Sequence, residues 1–307
     1  MNTGFSQTRF CFHSAKLPLG EIGRRYLVRV SVIGLGKIGL PLACQIADSG
    51  LDVLGFDISG SAVDSINSGT PPFPNEPGLE DKLRQAIQSG LLKATTNPQE
   101  ALAGRDVIVV CVPLMLDPNS LAPDFSSLDL ACQLVGENAG PNALIIVETT
   151  VPVGTTRNRI ASKVRSASKT NANFEFAFSP ERISSGSALA DLRKYPKIVG
   201  GESRSAGDRA ADFYKTILDF NHRPDLNRPN GVWTVESCES AEMVKLMETT
   251  YRDVNIALAN EFVQDCLRLG LDFGELRDAA NSQPYSHIHS AGISVGGHCI
   301  PVYPRLY

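Results

Sequence analysis

Short apolar runs rich in β-branched residues alternate along much of the chain with segments whose apolar positions recur at helical spacing. The runs predict strands at residues 29–33, 52–56, 106–112, 143–148, 174–178 and 197–201. The periodic segments predict helices at 40–49, 79–89, 127–136 and 206–218, with another that begins at Arg157. Continuous apolar runs such as 106–112 are typical of parallel strands buried on both faces. The alternation therefore predicts an α/β fold with a doubly wound parallel sheet.

The pattern changes near residue 238. Residues 240–269 keep a helical period without proline or glycine, which corresponds to a helix about 45 Å long at 1.5 Å per residue. A helix of this length predicts an element that links domains or forms a dimer interface. Lys245, Thr249 and Arg252 share one of its faces by their spacing, and a solvated polar stripe is the alternative interpretation of that face. Gly270 ends the helix, and 273–280 forms a shorter one.

A glycine-rich turn follows the first strand directly. Gly34, Gly36 and Gly39 have G-x-G-x-x-G spacing, and Asp57 ends the next strand roughly 20 residues further on. In this context the glycines make a tight turn, admit a pyrophosphate to the helix N-terminus and allow close helix–strand packing. Asp57 would hold ribose hydroxyls and repel a 2′-phosphate, and no arginine follows it. The turn therefore predicts a Rossmann-like NAD site, the alternative being a chance glycine-rich loop.

Polar residues also follow two later strands. Thr150 comes after strand 143–148, and Glu181-Arg182-Ile183 come after strand 174–178. Ligands bind at the carboxyl ends of strands in such sheets, whereas the threonines could equally cap the next helix, and one role does not exclude the other. The predicted cofactor contacts are completed by three residues in the turn and at another strand end: Lys37, Ile38 and Val112.

Composition and charge exclude several classes of function. The 307 residues are 42% hydrophobic and 20% charged, as in a soluble globular protein. A net charge of −4 gives no basic surface for nucleic acid. The longest apolar run is too short to span a membrane. Seven scattered cysteines without C-x-x-C spacing predict reduced thiols and a cytoplasmic location.

One stretch near the C-terminus combines a thiol with a histidine. It reads Gly296-Gly297-His298-Cys299-Ile300-Pro301, and its glycines allow a tight turn and close approach of a substrate. A histidine beside a cysteine is a possible source of thiolate activation. A loop with a buried, inert cysteine is the alternative.

Several motifs occur together in one order: GLGKIGLPLA, NEPGLE, ETTVPVGTT, SPERISSG, KIVGG, AEMVKLMETTYRDVNIALANE and GGHCIPV. From about residue 29 onward the chain resembles the UDP-glucose/GDP-mannose dehydrogenase family, especially its UDP-N-acetylhexosamine branch. Members of this family oxidise C6 of a nucleotide-sugar hexose to a carboxylate with two NAD+ and no metal, in nucleotide-sugar metabolism and polysaccharide biosynthesis. The resemblance implies a nucleotide-sugar substrate, and the length of helix 240–269 favours a homodimer formed through it.

The resemblance also implies residue roles. Cys299 matches the nucleophile that captures the C6 aldehyde as a thiohemiacetal, which a second hydride transfer converts to a thioester. Lys245 matches the lysine that handles protons or stabilises oxyanion charge, and Glu181 matches a carboxylate used in thioester hydrolysis. Thr150 and Asp57 match cofactor contacts. The substrate-lining positions are Arg182, Ile183, Thr249, Arg252 and Gly296.

The chain departs from the family pattern at five positions. The family has Asn where this chain has Thr249, an Asp that helps activate water where it has Tyr303, and a cofactor-contacting Thr where it has Leu114. His and Arg before the cysteine loop are replaced by Gln283 and Tyr285. The family pattern also continues for roughly a hundred residues beyond position 307, as a second α/β domain that holds the substrate nucleotide.

These observations predict three parts: a disordered leader at 1–28, an NAD-binding domain at 29–235, and a central helical domain with the cysteine loop at 236–307, truncated before a C-terminal domain. The predicted activity is oxidation of a UDP-N-acetylhexosamine, with UDP-glucose or GDP-mannose as alternative substrates. A catalytically inactive relative that binds NAD or dimerises is a further alternative. A metal site formed by His287, His289, His298 and Cys299 is not expected, since thiolate–metal binding would block the nucleophile.

Overall fold

The computed structural model describes residues 28–170, 172–295, 300 and 302–307. The predicted leader, apart from its last residue, and the predicted site residues Gly296 and Cys299 therefore lie outside the described residues. The division at residues 235 and 236 stays a prediction.

Eight strands form one sheet. Their bounds are β1 Arg29–Ile33, β2 Asp52–Phe56, β3 Leu92–Thr95, β4 Val107–Val110, β7 Leu144–Val147, β8 Glu175–Phe178, β9 Lys197–Gly201 and β10 Val232–Val235. A separate two-stranded ribbon pairs β5 Met115–Leu116 with β6 Pro123–Asp124. The order in the main sheet is β10-β9-β8-β7-β4-β1-β2-β3, in which β1 is flanked by β2 and β4. The strand order reverses there, and the carboxyl edge at such a point is where ligands bind.

The α/β Rossmann-like class is confirmed, but the sheet is not parallel throughout. Strand β9 runs antiparallel to β8, and β10 runs parallel to β9. A connection between two parallel strands has to run back from the carboxyl end of the first strand to the amino end of the second, at the opposite side of the sheet. The chain between β8 and β9 instead stays at the carboxyl edge, so Lys197 opens β9 close to where β8 ends. The reversal therefore places Lys197, at the amino end of β9, next to the carboxyl ends of the parallel strands.

Ten α-helices lie in the described part of the chain. They are α1 Gly39–Asp48, α2 Gly60–Asn67, α3 Leu79–Gln88, α4 Pro98–Leu102, α5 Ser126–Asn138, α6 Ser162–Ala167, α7 Ala188–Lys194, α8 Arg204–Ile217, α9 Cys238–Leu269 and α10 Phe273–Asn281. A π-helix at Thr156–Ala161 leads into α6, and a 3₁₀ turn spans Tyr303–Leu306. The predicted helices agree with these bounds to within a few residues, whereas the sequence patterns did not reveal α2, α4 and α7.

Two apolar cores cover the two faces of the sheet. One packs α1, α3 and α8 against the sheet, with Leu40, Leu83 and Tyr214 among its buried side chains. The other packs α5, α6 and the start of α9 against the opposite face and includes Leu128 and Leu246. This two-sided burial explains why the strands read as continuous apolar runs.

The long helix α9 has common capping residues at both ends. The Ser237 side chain accepts a hydrogen bond from the Ser240 N–H, and Gly270 adopts a left-handed backbone with φ 69°. Buried positions are dense from Cys238 to Thr249 and sparse beyond. The first part of α9 therefore belongs to the body of the protein, and the rest extends away from it.

Two glutamates on α9 hold the π-helix that follows β7. Glu239 pairs with Arg157, with 2.6 Å between Oε1 and Nε. Glu242 is fully buried and accepts the Gly154 and Thr156 N–H groups at 2.5 and 2.8 Å. A carboxylate at a helix N-terminus satisfies otherwise unpaired N–H groups and the local positive charge.

The Arg157–Glu239 pair predicts an acid-sensitive contribution to stability. The hydrogen bond from Arg157 lowers the pKa of Glu239 from 4.5 to about 2. A depressed carboxyl pKa stabilises the fold above pH 4.5, and this contribution is lost as the pH falls toward 2. We expect Glu239→Gln to be less stable than the unmodified chain at pH 7 and the difference to shrink below pH 4.5. Urea unfolding of both proteins across this range measures it, and a difference independent of pH would contradict it.

Candidate active site

The glycine turn has the geometry that its spacing predicts. Gly34 has φ +87°, and a Cβ there would lie 3.0 Å from the Cys111 carbonyl oxygen. A Cβ at Gly39 would lie 1.9 Å from the Gly34 carbonyl oxygen, so the start of α1 packs directly on the turn. A Cβ at Gly36 would meet no atom of the described residues within 4 Å. Gly36 thus faces open space, as a turn that admits a ligand requires.

Asp57 has a structural role that the sequence alone did not reveal. Its carboxylate accepts the Leu35 N–H and the Ser59 N–H, each at 2.9 Å. Asp57 therefore fixes the glycine turn as well as standing at the end of β2, where a ribose would bind.

A cleft of about 370 Å³ opens at the carboxyl edge of the sheet. It brings together three predicted cofactor contacts, Ile38, Val112 and Thr150, with the predicted catalytic residue Glu181. The Thr150 hydroxyl is buried and has no hydrogen-bond partner among the described residues. An unpaired buried hydroxyl is costly unless a ligand satisfies it. The open space at Gly36 and this hydroxyl fit a bound dinucleotide. Lys37 is exposed beside the turn and lies outside the cleft lining.

Lys245 and Glu181 meet at the cleft although 64 residues separate them. The Lys245 ammonium donates to the Glu181 backbone oxygen at 2.7 Å and lies 3.4 Å from the carboxylate oxygen Oε2. Both residues are buried, at 5% and 8% exposure. Burial raises the pKa of Glu181, while the charge and hydrogen bond of Lys245 oppose that rise. A carboxyl group that takes up a proton closer to neutral pH is suited to acid–base chemistry.

The other predicted catalytic and substrate positions are more scattered. Arg182 is half-buried and binds the Glu248 carboxylate at 3.0 Å and the Pro196 carbonyl oxygen at 3.1 Å. Ile183 is half-buried and packs against the core. The buried Thr249 hydroxyl donates to the Lys245 carbonyl oxygen at 2.8 Å. Arg252 is exposed on α9 and lies outside the cleft lining.

Residues at three of the family departures have clear positions. Tyr303 lines the cleft, with its ring centroid 5.7 Å from the Lys245 ammonium. Leu114 is buried in the cleft wall. Tyr285 is 88% exposed, away from the cleft. The cleft lining therefore differs from the family pattern at two positions, by the aromatic ring of Tyr303 and the apolar side chain of Leu114.

The structure adds residues that sequence reasoning missed. Glu148 at the end of β7 lines the cleft and binds Lys197 of β9. Glu76 in the NEPGLE loop accepts the Gly186 and Ala188 N–H groups and so holds the segment that carries Arg182 and Ile183. Glu148 was detectable as an acid that ends a wholly apolar strand, whereas the partner of Glu76 is more than a hundred residues away.

Most of the described cysteines lack activation. Burial raises the pKa of Cys44, Cys132 and Cys238 to about 12 and that of Cys111 well above 9.0. Thiols in this state are poor nucleophiles. The residues that the structure describes contain no group of three His, Cys, Asp or Glu side chains placed to hold a metal. His298 and Cys299, half of the metal set considered from the sequence, lie outside those residues.

The open space at Gly36 yields a prediction about the cofactor. Gly36→Val adds a side chain at a point where no described residue lies within 4 Å of the new Cβ, so we expect the melting temperature to change little. The same side chain occupies the approach to the helix N-terminus, and we expect NAD+ to bind at least roughly tenfold more weakly. Calorimetric titration with NAD+ measures the affinity. Unchanged affinity in the folded variant would place the cofactor elsewhere.

Comparisons with known proteins agree with this geometry. Residues 28–218 match the NAD-binding domain of the UDP-glucose/GDP-mannose dehydrogenase family, and residues 239–307 match its central domain. The chain is 37% identical over 281 residues to a UDP-N-acetyl-D-mannosamine dehydrogenase of Pyrococcus horikoshii, covering 91% of this chain and 63% of that protein. It is 35% identical over 283 residues to a Salmonella typhi enzyme of the same name, covering 90% of this chain and 63% of the relative.

Solved structures give the same result. The P. horikoshii UDP-D-ManNAc dehydrogenase superposes with a TM-score of 0.82 at 37% identity, over 91% of this chain and 63% of that one. A UDP-glucose dehydrogenase of Pyrobaculum islandicum superposes with a TM-score of 0.83 at 29% identity, over 94% of this chain and 65% of that one. This chain thus spans somewhat less than two thirds of these relatives. No helix among the described residues is long and apolar enough to cross a membrane. The chain belongs to the UDP-glucose/GDP-mannose dehydrogenase family, and its first domain is an NAD-binding domain.

Proposed function

We propose that the chain is an NAD-dependent nucleotide-sugar 6-dehydrogenase whose substrate is a UDP-N-acetylhexosamine, with UDP-N-acetyl-D-mannosamine as the first candidate. The observation that carries the proposal is the buried contact of Lys245 with Glu181, which lines the same cleft as Thr150. This arrangement puts a proton-handling pair beside the predicted cofactor contacts. The names of the relatives support the choice of sugar.

Held at the glycine turn and beside Val112 and Thr150, NAD would supply the hydride acceptor for the oxidation of C6. The Lys245 ammonium stabilises negative charge on the C6 oxygen, and the neighbouring carboxylate of Glu181 takes up the proton that the C6 hydroxyl releases. The Cys299 thiolate adds to the aldehyde, a second hydride transfer gives the thioester, and water releases the carboxylate product. The part played by Cys299 rests on its match to the family motif.

Two features favour a second candidate, a relative that binds NAD without turnover. The Tyr303 ring stands in the cleft where the family motif has a carboxylate, and a phenol cannot replace a carboxylate as a base near neutral pH. Leu114 replaces a cofactor-contacting threonine. UDP-glucose and GDP-mannose remain alternative substrates.

The activity is tested by supplying the purified chain with NAD+ and each of UDP-GlcNAc, UDP-ManNAc, UDP-glucose and GDP-mannose while NADH absorbance is followed. We expect NADH formation to be fastest with UDP-ManNAc. Absence of turnover with all four sugars, together with measurable NAD+ binding, would favour the inactive relative. A Cys299→Ser variant that completed both oxidations would remove the covalent route.

We further propose a homodimer formed through residues 240–269. An exposed apolar stripe along α9 supports it: Met247, Tyr251, Val254 and Leu258 repeat at helical spacing and are each 45–58% exposed. The cytoplasmic location of the chain stays a prediction from the cysteine pattern.

The dimer predicts a change of mass on substitution. Val254→Glu combined with Leu258→Glu places two charges in the stripe, and we expect the molar mass from sedimentation equilibrium to fall by half. Gln264→Glu, which adds a charge at an exposed position of the same helix away from the stripe, is the control and should leave the mass unchanged. A monomeric unmodified chain would contradict the proposed dimer.

A further inference from the structure

A second buried ion pair, Lys197 with Glu148, lies at the same cleft as the Lys245–Glu181 pair. The Lys197 ammonium donates to Glu148 Oε1 at 2.8 Å, and the Tyr214 hydroxyl donates to the same oxygen at 2.5 Å. The Lys197 ammonium also lies 4.6 Å from the centre of the Tyr214 ring. Glu148 and Lys197 are 2% and 7% exposed, and Tyr214 is fully buried. Burying two charges costs free energy that a simple apolar pair would not, so the pair calls for a functional explanation.

Both hydrogen bonds engage a single oxygen of Glu148. A carboxylate has a second oxygen with its own acceptor capacity, and none of the described hydrogen bonds uses Oε2. Glu148 lines the 370 Å³ cleft, while Lys197 lies outside that lining. The Glu148 carboxylate of this pair therefore lies toward the cleft, and the Lys197 ammonium lies away from it.

Glu148 and Glu181 are neighbours in three respects. The Glu181 N–H donates to the Glu148 carbonyl oxygen at 3.4 Å. Both side chains line the cleft, and both also line a smaller chamber of about 20 Å³ together with Lys197. Glu148 and Glu181 are 2% and 8% exposed, and charges buried in this way are weakly screened by solvent.

We propose that Glu148 is a positioning residue for Glu181: its carboxylate, anchored by Lys197 and Tyr214, is a fixed negative charge that favours the protonated form of Glu181. Burial and the Glu148 charge both raise the pKa of Glu181, whereas Lys245 lowers it, so Glu148 acts with burial against the lysine. This proposal deepens the function proposed above and rests on it only for the use that catalysis makes of Glu181.

Several charged or titratable groups surround Glu181, and they come from different elements. They are Lys245 of α9, Glu148 after β7, Lys197 of β9, Cys111 after β4, the adjacent Arg182, Asp191 of α7, Tyr195 after α7, and Tyr303 of the C-terminal turn. Lys245 and Lys197 lower the pKa of Glu181, and Glu148 raises it beyond the effect of burial. Arg182 is engaged by Glu248, so its charge is partly compensated.

The test measures the protonation of Glu181 directly, without turnover. Infrared difference spectra between the unmodified chain and Glu181→Gln isolate the Glu181 carboxyl stretch, which is titrated from pH 4 to 9. We expect Glu148→Gln to lower the pKa of Glu181 by about one unit, since a like charge has been removed. Glutamine keeps an oxygen that accepts from Lys197 and Tyr214, so this variant should fold.

Two further variants separate charge from packing. Tyr214→Phe removes one hydrogen bond but leaves the Glu148 charge, and we expect the Glu181 titration to move much less than with Glu148→Gln. Glu202→Gln disrupts an ion pair with Arg165 at the other end of β9 and should not move it. If Glu148→Gln does not fold, Glu148→Gln combined with Lys197→Met removes both buried charges, and a smaller downward shift is expected.

The outcomes are distinct from those of the activity assay. A downward shift with Glu148→Gln supports the proposal even if no nucleotide sugar is oxidised. An unchanged or raised pKa of Glu181 in that variant, or an equal shift with Glu202→Gln, overturns it. Where turnover is present, the acidic limb of kcat against pH should move down by the same amount, and a pH-independent loss of kcat would indicate a purely structural role.

Discussion

Glu242→Ala is expected to lower the free energy of unfolding by roughly 3 kcal/mol. The substitution leaves the buried N–H groups of Gly154 and Thr156 without their acceptor, and each unsatisfied group costs about 1–3 kcal/mol. It also creates a cavity under α9, which adds to the loss. Because Glu242 joins α9 to the π-helix after β7, the variant should also loosen the wall of the cleft that carries Thr150.

The control for this prediction lies on the same helix. Glu261 is exposed on α9, and Glu261→Ala should change stability by less than about 0.5 kcal/mol. Urea unfolding followed by circular dichroism compares the two variants. Equal stabilities would mean that the two N–H groups find other partners and that Glu242 does not hold the junction.

Lys245→Met is expected to reduce turnover by a factor of about 10² to 10³ while NAD+ binding is kept. Methionine preserves the apolar stem of the side chain but removes the ammonium that contacts Glu181. Loss of one preorganised group that stabilises developing charge has an effect of this size. The loss should appear in kcat with little change in the KM for NAD+, because the lysine lies beside Glu181 and outside the glycine turn.

Lys215→Met is the matched control for this variant. Lys215 is exposed on α8, pairs with Asp212 on the same helix and lies outside the cleft lining. We expect its kinetics to match those of the unmodified chain. If Lys245→Met retained turnover within a few-fold, the lysine would serve only to pack α9 against the body.

The glycine turn shows how much of the site was predictable from sequence. Gly34 is favoured by its left-handed backbone, and Gly39 and Asp57 are constrained by neighbours within one β-α-β unit, so their spacing alone predicts their geometry. Thr150 and Glu181 were predictable as polar residues at strand ends. These local signals, together with the sequence motifs that contain them, were sufficient to predict the fold class and an NAD site.

The rest depends on contacts between distant parts of the chain. The reversed direction of β9 places Lys197 beside Glu148, and strand direction follows from the path of the 179–196 connection rather than from any residue pattern. Glu242 appears as one more acid on a mixed helix, although it is buried against a loop 88 residues earlier. Arg252 shares a helical face with Lys245, yet it is exposed because α9 extends beyond the body between them.

The most direct test is carbon-13 NMR of UDP-N-acetyl-D-mannosamine labelled at C6 and incubated with the chain and excess NAD+. The proposed function predicts that the C6 alcohol signal is replaced by a carboxylate signal while two NADH form for each sugar consumed. An unchanged C6 alcohol signal in the presence of demonstrated NAD+ binding would contradict a dehydrogenase acting on this sugar. Accumulation of an aldehyde with one NADH per sugar would contradict the second oxidation.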